Sequence, residues 1–314
     1  KMGLGDFDLG LTRYHSGAIQ LDGLAGGLDG CNPATEAIAL CSVVPSADVT
    51  IYSTAYLAKY SINENMSVFG GLTRFALEDS TVTTIAGHYE VNAETANVTV
   101  YGAAYEIPDI ALRVEAVLQE ETTTALKASS SLSPLLPTTA ITGASYTIPQ
   151  TMTLNFQSGI AEDTLLFGSI HQQNWNTAQI IIPGNPNGIN PVTFAPDAAV
   201  SPVGSSFSDK TAYSIGVGRK ISDNLSLSLS YSREDGSGPT TDDPFTLSDG
   251  SQGITIGARY SMAENMTLSA GYNYTTAGDV KVIHEVAPGV PSGLTADYKD
   301  NTTSAIGVRL AFSF

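Results

Sequence analysis

The chain has 314 residues, of which only 14% are charged against about 25% in an average soluble protein, while its apolar share is an ordinary 42%. With 31 acidic and 14 basic residues the net charge is −17, so nothing supplies the basic footprint that nucleic acid requires. No run of 18 apolar residues exists, which excludes a transmembrane helix, and the whole of 1–314 reads as one long β domain.

From the N-terminus, Lys1-Met2-Gly3-Leu4 leads directly into strand-like sequence, with a first strand expected over 4–14. No signal peptide precedes it, so an exported protein would be present here in processed or truncated form. A polar loop over 15–47 follows and holds both cysteines. Cys31 and Cys41 in a C-x9-C pair have poor metal-ligand spacing, and a disulfide stapling this loop in an oxidising compartment is the default reading.

Beyond residue 47 the chain alternates short connectors with long ones. Ser61-Ile62-Asn63-Glu64-Asn65-Met66, Ile221-Ser222-Asp223-Asn224-Leu225 and Met262-Ala263-Glu264-Asn265-Met266 are variants of one turn, and Ile107-Pro108-Asp109 and Ala161-Glu162-Asp163 are further short connectors. Asn and Asp tolerate the left-handed backbone of such turns. Each lies between runs of about ten residues, the length that crosses a bilayer at a tilt, so five hairpins are predicted. The remaining connections, about 15–47, 79–94, 121–147, 176–210, 236–251 and 277–301, are long and rich in Gly, Pro, Ser and Thr. Strict alternation of this kind belongs to transmembrane barrels, with short turns at the periplasmic end and long loops outside.

The strands have two faces. Leu225, Leu227, Leu229 and Tyr231 alternate with Ser226, Ser228, Ser230 and Ser232. Ile254, Ile256, Ala258 and Tyr260 oppose Thr255, Gly257, Arg259 and Ser261; Leu112, Val114, Ala116 and Leu118 oppose Arg113, Glu115, Val117 and Gln119. Period-two alternation puts the apolar set on lipid and the polar set in a lumen, because a lipid-facing arginine near the midplane costs roughly 2–4 kcal/mol. Tyr231, Tyr260, Tyr272 and Tyr274 fit an interfacial aromatic girdle. The C-terminal run Ile306–Phe314 has the same pattern. The expected fold class is therefore all-β, a transmembrane antiparallel up-and-down barrel of about twelve strands whose two end strands pair to close it.

Several segments resemble the long-chain fatty acid and hydrocarbon outer-membrane transporter family (FadL-type). Ile148-Pro149-Gln150 before a strand, Phe156-Gln157-Ser158-Gly159-Ile160-Ala161 at its end, and Asp163-Thr164-Leu165-Leu166-Phe167-Gly168-Ser169 opening the next are similar to its central hairpin. Gly102–Val114, Tyr213–Lys220 and Gly278-Asp279 add weaker similarity, so that the matches span roughly 50–314. The resemblance implies passive uptake of a hydrophobic small molecule across the outer membrane of a Gram-negative bacterium, without a cofactor. It also implies fourteen strands, an N-terminal plug and a kinked strand opening sideways. Here the count falls about two short and no plug precedes the first strand. Asn32-Pro33-Ala34 echoes a plug sequence but lies between the two cysteines, where it reads as a turn.

No catalytic signal stands out: no G-x-S-x-G motif is present, and His15, His88, His171 and His284 are scattered, so neither an enzyme nor a metal site is expected. Arg113, Arg259 and Arg309 fall on inner faces. They read either as members of a charge network filling the lumen or as a seat for a substrate carboxylate, where guanidinium pairs bidentately. The apolar runs Ile180–Pro183 and Val192–Pro196 read as a capture groove or as loop-on-loop packing. Outer-membrane lipid and lipopolysaccharide are the expected surroundings, and loop acids such as Asp242 and Asp243 read either as solubilising, mutually repelling charge or as open to divalent bridging. A general diffusion porin and an adhesive barrel binding a partner through its loops are the alternative functions.

Overall fold

A computed structural model of the chain describes residues 2–4, 6–21, 46–84, 87–131, 138–183, 203–243, 245–287 and 290–312. Twelve long strands form one antiparallel meander: β1 Phe7–Leu21, β2 Ser46–Ser61, β3 Met66–Leu77, β4 Glu94–Ile107, β5 Leu112–Gln119, β6 Thr151–Ala161, β7 Thr164–Gln173, β8 Lys210–Lys220, β9 Leu225–Glu234, β10 Ser251–Ala263, β11 Met266–Ala277 and β12 Thr302–Phe312. Each pairs with the next along the chain. This is the wall of an up-and-down transmembrane barrel. The expected pairing of the two end strands does not appear. Among the described residues no ladder joins β12 to β1, whose outer flank carries Met2–Leu4 folded back onto Phe7–Leu9. Ile306 and Val308 on β12 are accordingly 79% and 71% exposed, more than any other large apolar side chain among the described residues.

The five short turns lie at one end of the wall. In the first, the Asn63 side chain accepts hydrogen bonds from the Asn65 and Met66 N–H groups at 2.9 and 2.7 Å, an Asx turn that sets the β2–β3 register. In the β4–β5 and β6–β7 connections the left-handed residue is Ala111 (φ 51°) and Asp163 (φ 56°).

Alternation fixes the faces. Leu227, Leu229 and Tyr231 are exposed outward while Ser226, Ser228, Ser230 and Ser232 are half-buried toward the lumen. Phe7, Leu9, Leu11, Tyr56, Met66, Val68, Leu72, Ile215, Ile254 and Ile256 continue the outward apolar band. Burying that band in hydrocarbon is what stabilises such a wall. Tyr60, Tyr105 and Tyr260 stand near its turn end, and Tyr213, Tyr231 and Tyr274 toward its loop end, all exposed as an aromatic girdle requires.

The opposite end is more built than loops would be. β1 runs on to Leu21, past the expected loop start at residue 15, through a bulge between His15 and Gly17. Strands Ser80–Thr84, Gly87–Val91, Ala128–Ser131 and Thr139–Ile141 extend the wall, and Thr122–Ala125, Ser145–Ile148, Ile180–Ile182 and Val203–Gly204 form a separate four-stranded sheet. Together they enclose a dry core containing Ala47, Val82, Tyr89, Val91, Leu126 and Ile182. Cys31, Cys41, Asn32–Ala34 and Val192–Pro196 lie outside the described residues.

Candidate functional site

The wall changes character along its length. On β4, inward Ala96, Val98 and Val100 are buried while outward Thr95, Asn97 and Thr99 are exposed; further along, the outward residues become Tyr101, Ala103 and Tyr105. The loop end of β2 does the same, with Val49 and Ile51 inward and Thr50 outward. The lumen is thus apolar at the loop end and polar below, an inversion that belongs to a wall rising out of the bilayer.

That apolar stretch faces a narrow slot lined by Ile19, Val49, Leu77, Leu126, Ile182 and Phe245, with a free volume of about 50 Å³. Ile182 is the buried member of the run Ile180–Ile182, whereas Ile181 is exposed on the other face. The run is thus the roof of the slot. A space this small admits a solute only as side chains move aside. Tyr146 packs against the same core, and burial pushes its phenol up to about 12. Trp175, at the start of the connection above β7, packs edge-on against Phe207 at 5.3 Å and donates from Nε1 to Gln173 Oε1 at 3.3 Å.

At the turn end the wall opens onto a larger hollow of about 990 Å³, whose lining includes Phe167, Gly218, Ser228, Gly257, Arg259 and Ser269. Phe167 lies over Gly216 on the next strand, where an added Cβ would come within 2.6 Å of the ring. Glycine there leaves the ring its place in the lumen.

The three sequence-predicted arginines divide. Arg113 is saturated: its guanidinium donates to Glu106 Oε1 at 2.8 Å and to the Glu115 carboxylate, Lys59 stands 4.0 Å from Glu106, and Asn155 donates to Glu115 at 3.2 Å. Sequence reasoning placed Arg113 and Glu115 on one face but missed Glu106, which only the β4–β5 register brings opposite Arg113. Arg259 and Arg309 form a second group. Register sets Arg259 opposite Ser269 and Ser269 opposite Arg309, all on the inner face, two strand spacings or ~10 Å apart along the row. Among the described residues neither has an ion pair. His171 is also inward, its Nδ1 2.7 Å from the Thr153 hydroxyl. No cluster of His, Cys, Asp and Glu suited to hold a metal occurs among the described residues.

A twelve-strand meander with an outward apolar band, short turns at one end and an elaborated apolar end at the other defines the class: the wall of an up-and-down transmembrane β-barrel. The particular fold is that of the FadL-type barrels. A FadL homologue of Pseudomonas aeruginosa superposes with a TM-score of 0.67 over 97% of this chain and 74% of its own, at 12% identity. The toluene transporter TbuX of Ralstonia pickettii gives 0.57 over 99% and 79%, at 10% identity. The Pseudomonas putida toluene transporter TodX gives 0.54 over 99% and 80%, also at 10%. No protein-family model matches the chain. No curated protein matches it in sequence.

Proposed function

We propose that the chain is a passive conduit for hydrophobic small molecules across the outer membrane of a Gram-negative bacterium. The observation that carries this reading is the apolar inner wall at the loop end, where a water-filled pore would present polar side chains. Transfer of an apolar solute from water onto Val49, Leu77 and Ile182 is favourable at roughly 25 cal/mol per Å² of area covered, so capture needs no energy source. The solute then passes to the wide cavity at the turn end, where Arg259 and Arg309 offer two unpaired guanidiniums to a carboxylate-bearing solute. Arg113, already shared between two carboxylates, holds β4 to β5. The superposition on two toluene transporters supports the hydrophobic class, and the choice between an aromatic hydrocarbon and a fatty acid falls to the arginines.

The test is uptake of radiolabelled toluene and laurate by vesicles carrying the protein, with ion conductance measured in parallel. Val49→Asp, which places a charge in the slot, is expected to cut uptake of both tracers several-fold with conductance low and unchanged. Steady conductance and sugar permeation by the unaltered protein, with uptake indifferent to Val49→Asp, would instead identify a diffusion porin.

A further inference from the structure

Four of the seven arginines point out of the wall, not into it. Arg219 stands apart at the turn end; the other three are Arg13, Arg74 and Arg233, all at the loop-side margin of the apolar band. Register places Arg13 opposite Thr54 and Thr54 opposite Arg74, in one outward row across β1, β2 and β3. The next outward row toward the turns is Leu11, Tyr56 and Leu72, all at least half exposed. On the other side of the arginine row the outward set turns polar with Asp48, Thr50 and His15. The row therefore sits where hydrocarbon gives way to headgroups.

Arg233 has Asp235 at 3.8 Å, but among the described residues neither Arg13 nor Arg74 forms an ion pair, in a chain with 31 carboxylates. Arg13 is instead held with its guanidinium carbon 5.2 Å from the centre of the Tyr52 ring, whose edge meets His15 at 5.5 Å. The ring holds the cation by its π face, an attraction that uses none of its N–H donors. The backbones of Arg13 and Arg74 stand two strand spacings, ~10 Å, apart along the row with Thr54 between them, a separation that two arginine side chains can close around one phosphate, whose charge and oxygens suit bidentate guanidinium pairing.

We propose that Arg13, Thr54 and Arg74, with Tyr52 as support, bind the phosphate of a phosphorylated glycolipid in the outer leaflet. This rests on the reading of the chain as an outer-membrane barrel. A lipid is the source because the row adjoins the apolar band: its acyl chains would lie along Leu11, Tyr56 and Leu72 while its phosphate meets the arginines.

The test uses the full chain refolded in neutral detergent and measures retention of bisphosphorylated lipid A, its dephosphorylated form, and inorganic phosphate as competitor. Lipid A is expected to be retained, the dephosphorylated form to be retained about tenfold less, and millimolar phosphate not to displace it. Arg13→Gln/Arg74→Gln is expected to reduce retention to the dephosphorylated level, Arg233→Gln to leave it unchanged, and both to fold like the parent because the altered side chains are exposed. Equal retention by parent and double variant, or displacement by free phosphate at these concentrations, overturns the site while both proteins still insert into vesicles. Failure of the parent itself to insert overturns the barrel reading and this proposal with it.

Discussion

At the scale of single residues, Asp243 shows how the loop end is held. It is 1% exposed, its Oδ1 accepts the Phe245 N–H at 2.9 Å and its Oδ2 accepts the Thr246 hydroxyl at 3.0 Å. Burial raises its pKa above the usual carboxylate range in spite of those bonds. The folded loop therefore holds the proton more tightly than the unfolded chain. Its contribution to stability is full below the ordinary carboxylate pKa and is lost as pH rises through the raised value. Amide exchange at Phe245–Leu247, corrected for intrinsic rate, should show stronger protection near pH 4 than near pH 7. Asp243→Asn should abolish the difference; a parent loop better protected at the higher pH would contradict the assignment. In sequence Asp243 is indistinguishable from the surface acids of its loop, because nothing in its neighbours signals burial.

At the scale of the strand, two substitutions one residue apart on β9 separate the two faces. Leu229→Arg puts a guanidinium in the outward apolar band and should destabilise the barrel by about 2–4 kcal/mol, read from urea unfolding in lipid vesicles. Ser228→Arg faces the cavity and should cost far less. Comparable losses would mean that both faces meet the same medium. On β3, Gly71→Ala tests packing: a Cβ there would lie 1.9 Å from the Tyr56 carbonyl oxygen, a backbone atom that cannot step aside. The β2–β3 ladder must shift, and the unfolding midpoint should fall, by an overpacking cost of about 1–3 kcal/mol. Strands such as Leu225–Glu234 were legible because one side of each strand meets lipid, so the period of two is clean. The extension of β1 to Leu21 was not. The bulge between His15 and Gly17 inserts a residue and turns the odd-numbered side chains from the outer face to the inner one, so that outward Leu9 and Leu11 are followed by inward Ile19 and Leu21 after the polar stretch Arg13–Ser16. The short loop-end strands, two to five residues each, carry too few repeats to show a period. Their partners, such as Ile180–Ile182 for Ser145–Ile148, are far away in sequence. The site was half legible for the same reason. Alternation turns Arg113, Arg259 and Arg309 inward, but only cross-strand register shows that Glu106 occupies the first and that Ser269 separates the other two.

At the scale of the whole molecule, the two ends of the lumen ask different things of a solute. The slot under Ile182 selects for apolar surface and is indifferent to charge elsewhere in the solute, whereas the cavity beside Arg259 and Arg309 can distinguish an acid from a hydrocarbon. If both lie on one path, the two requirements should separate by substitution. Arg259→Gln/Arg309→Gln should lower the uptake of laurate several-fold and leave that of toluene within error, since the hydrocarbon has no group for a guanidinium to hold. Arg113→Gln provides the contrast. It strands Glu106 and Glu115 without their shared cation, so it should lower the unfolding midpoint and reduce both uptakes together through loss of folded protein. Equal loss of laurate and toluene in the Arg259/Arg309 variant, with the folded fraction unchanged, would show that these arginines shape the cavity without reading the charge of what passes through it.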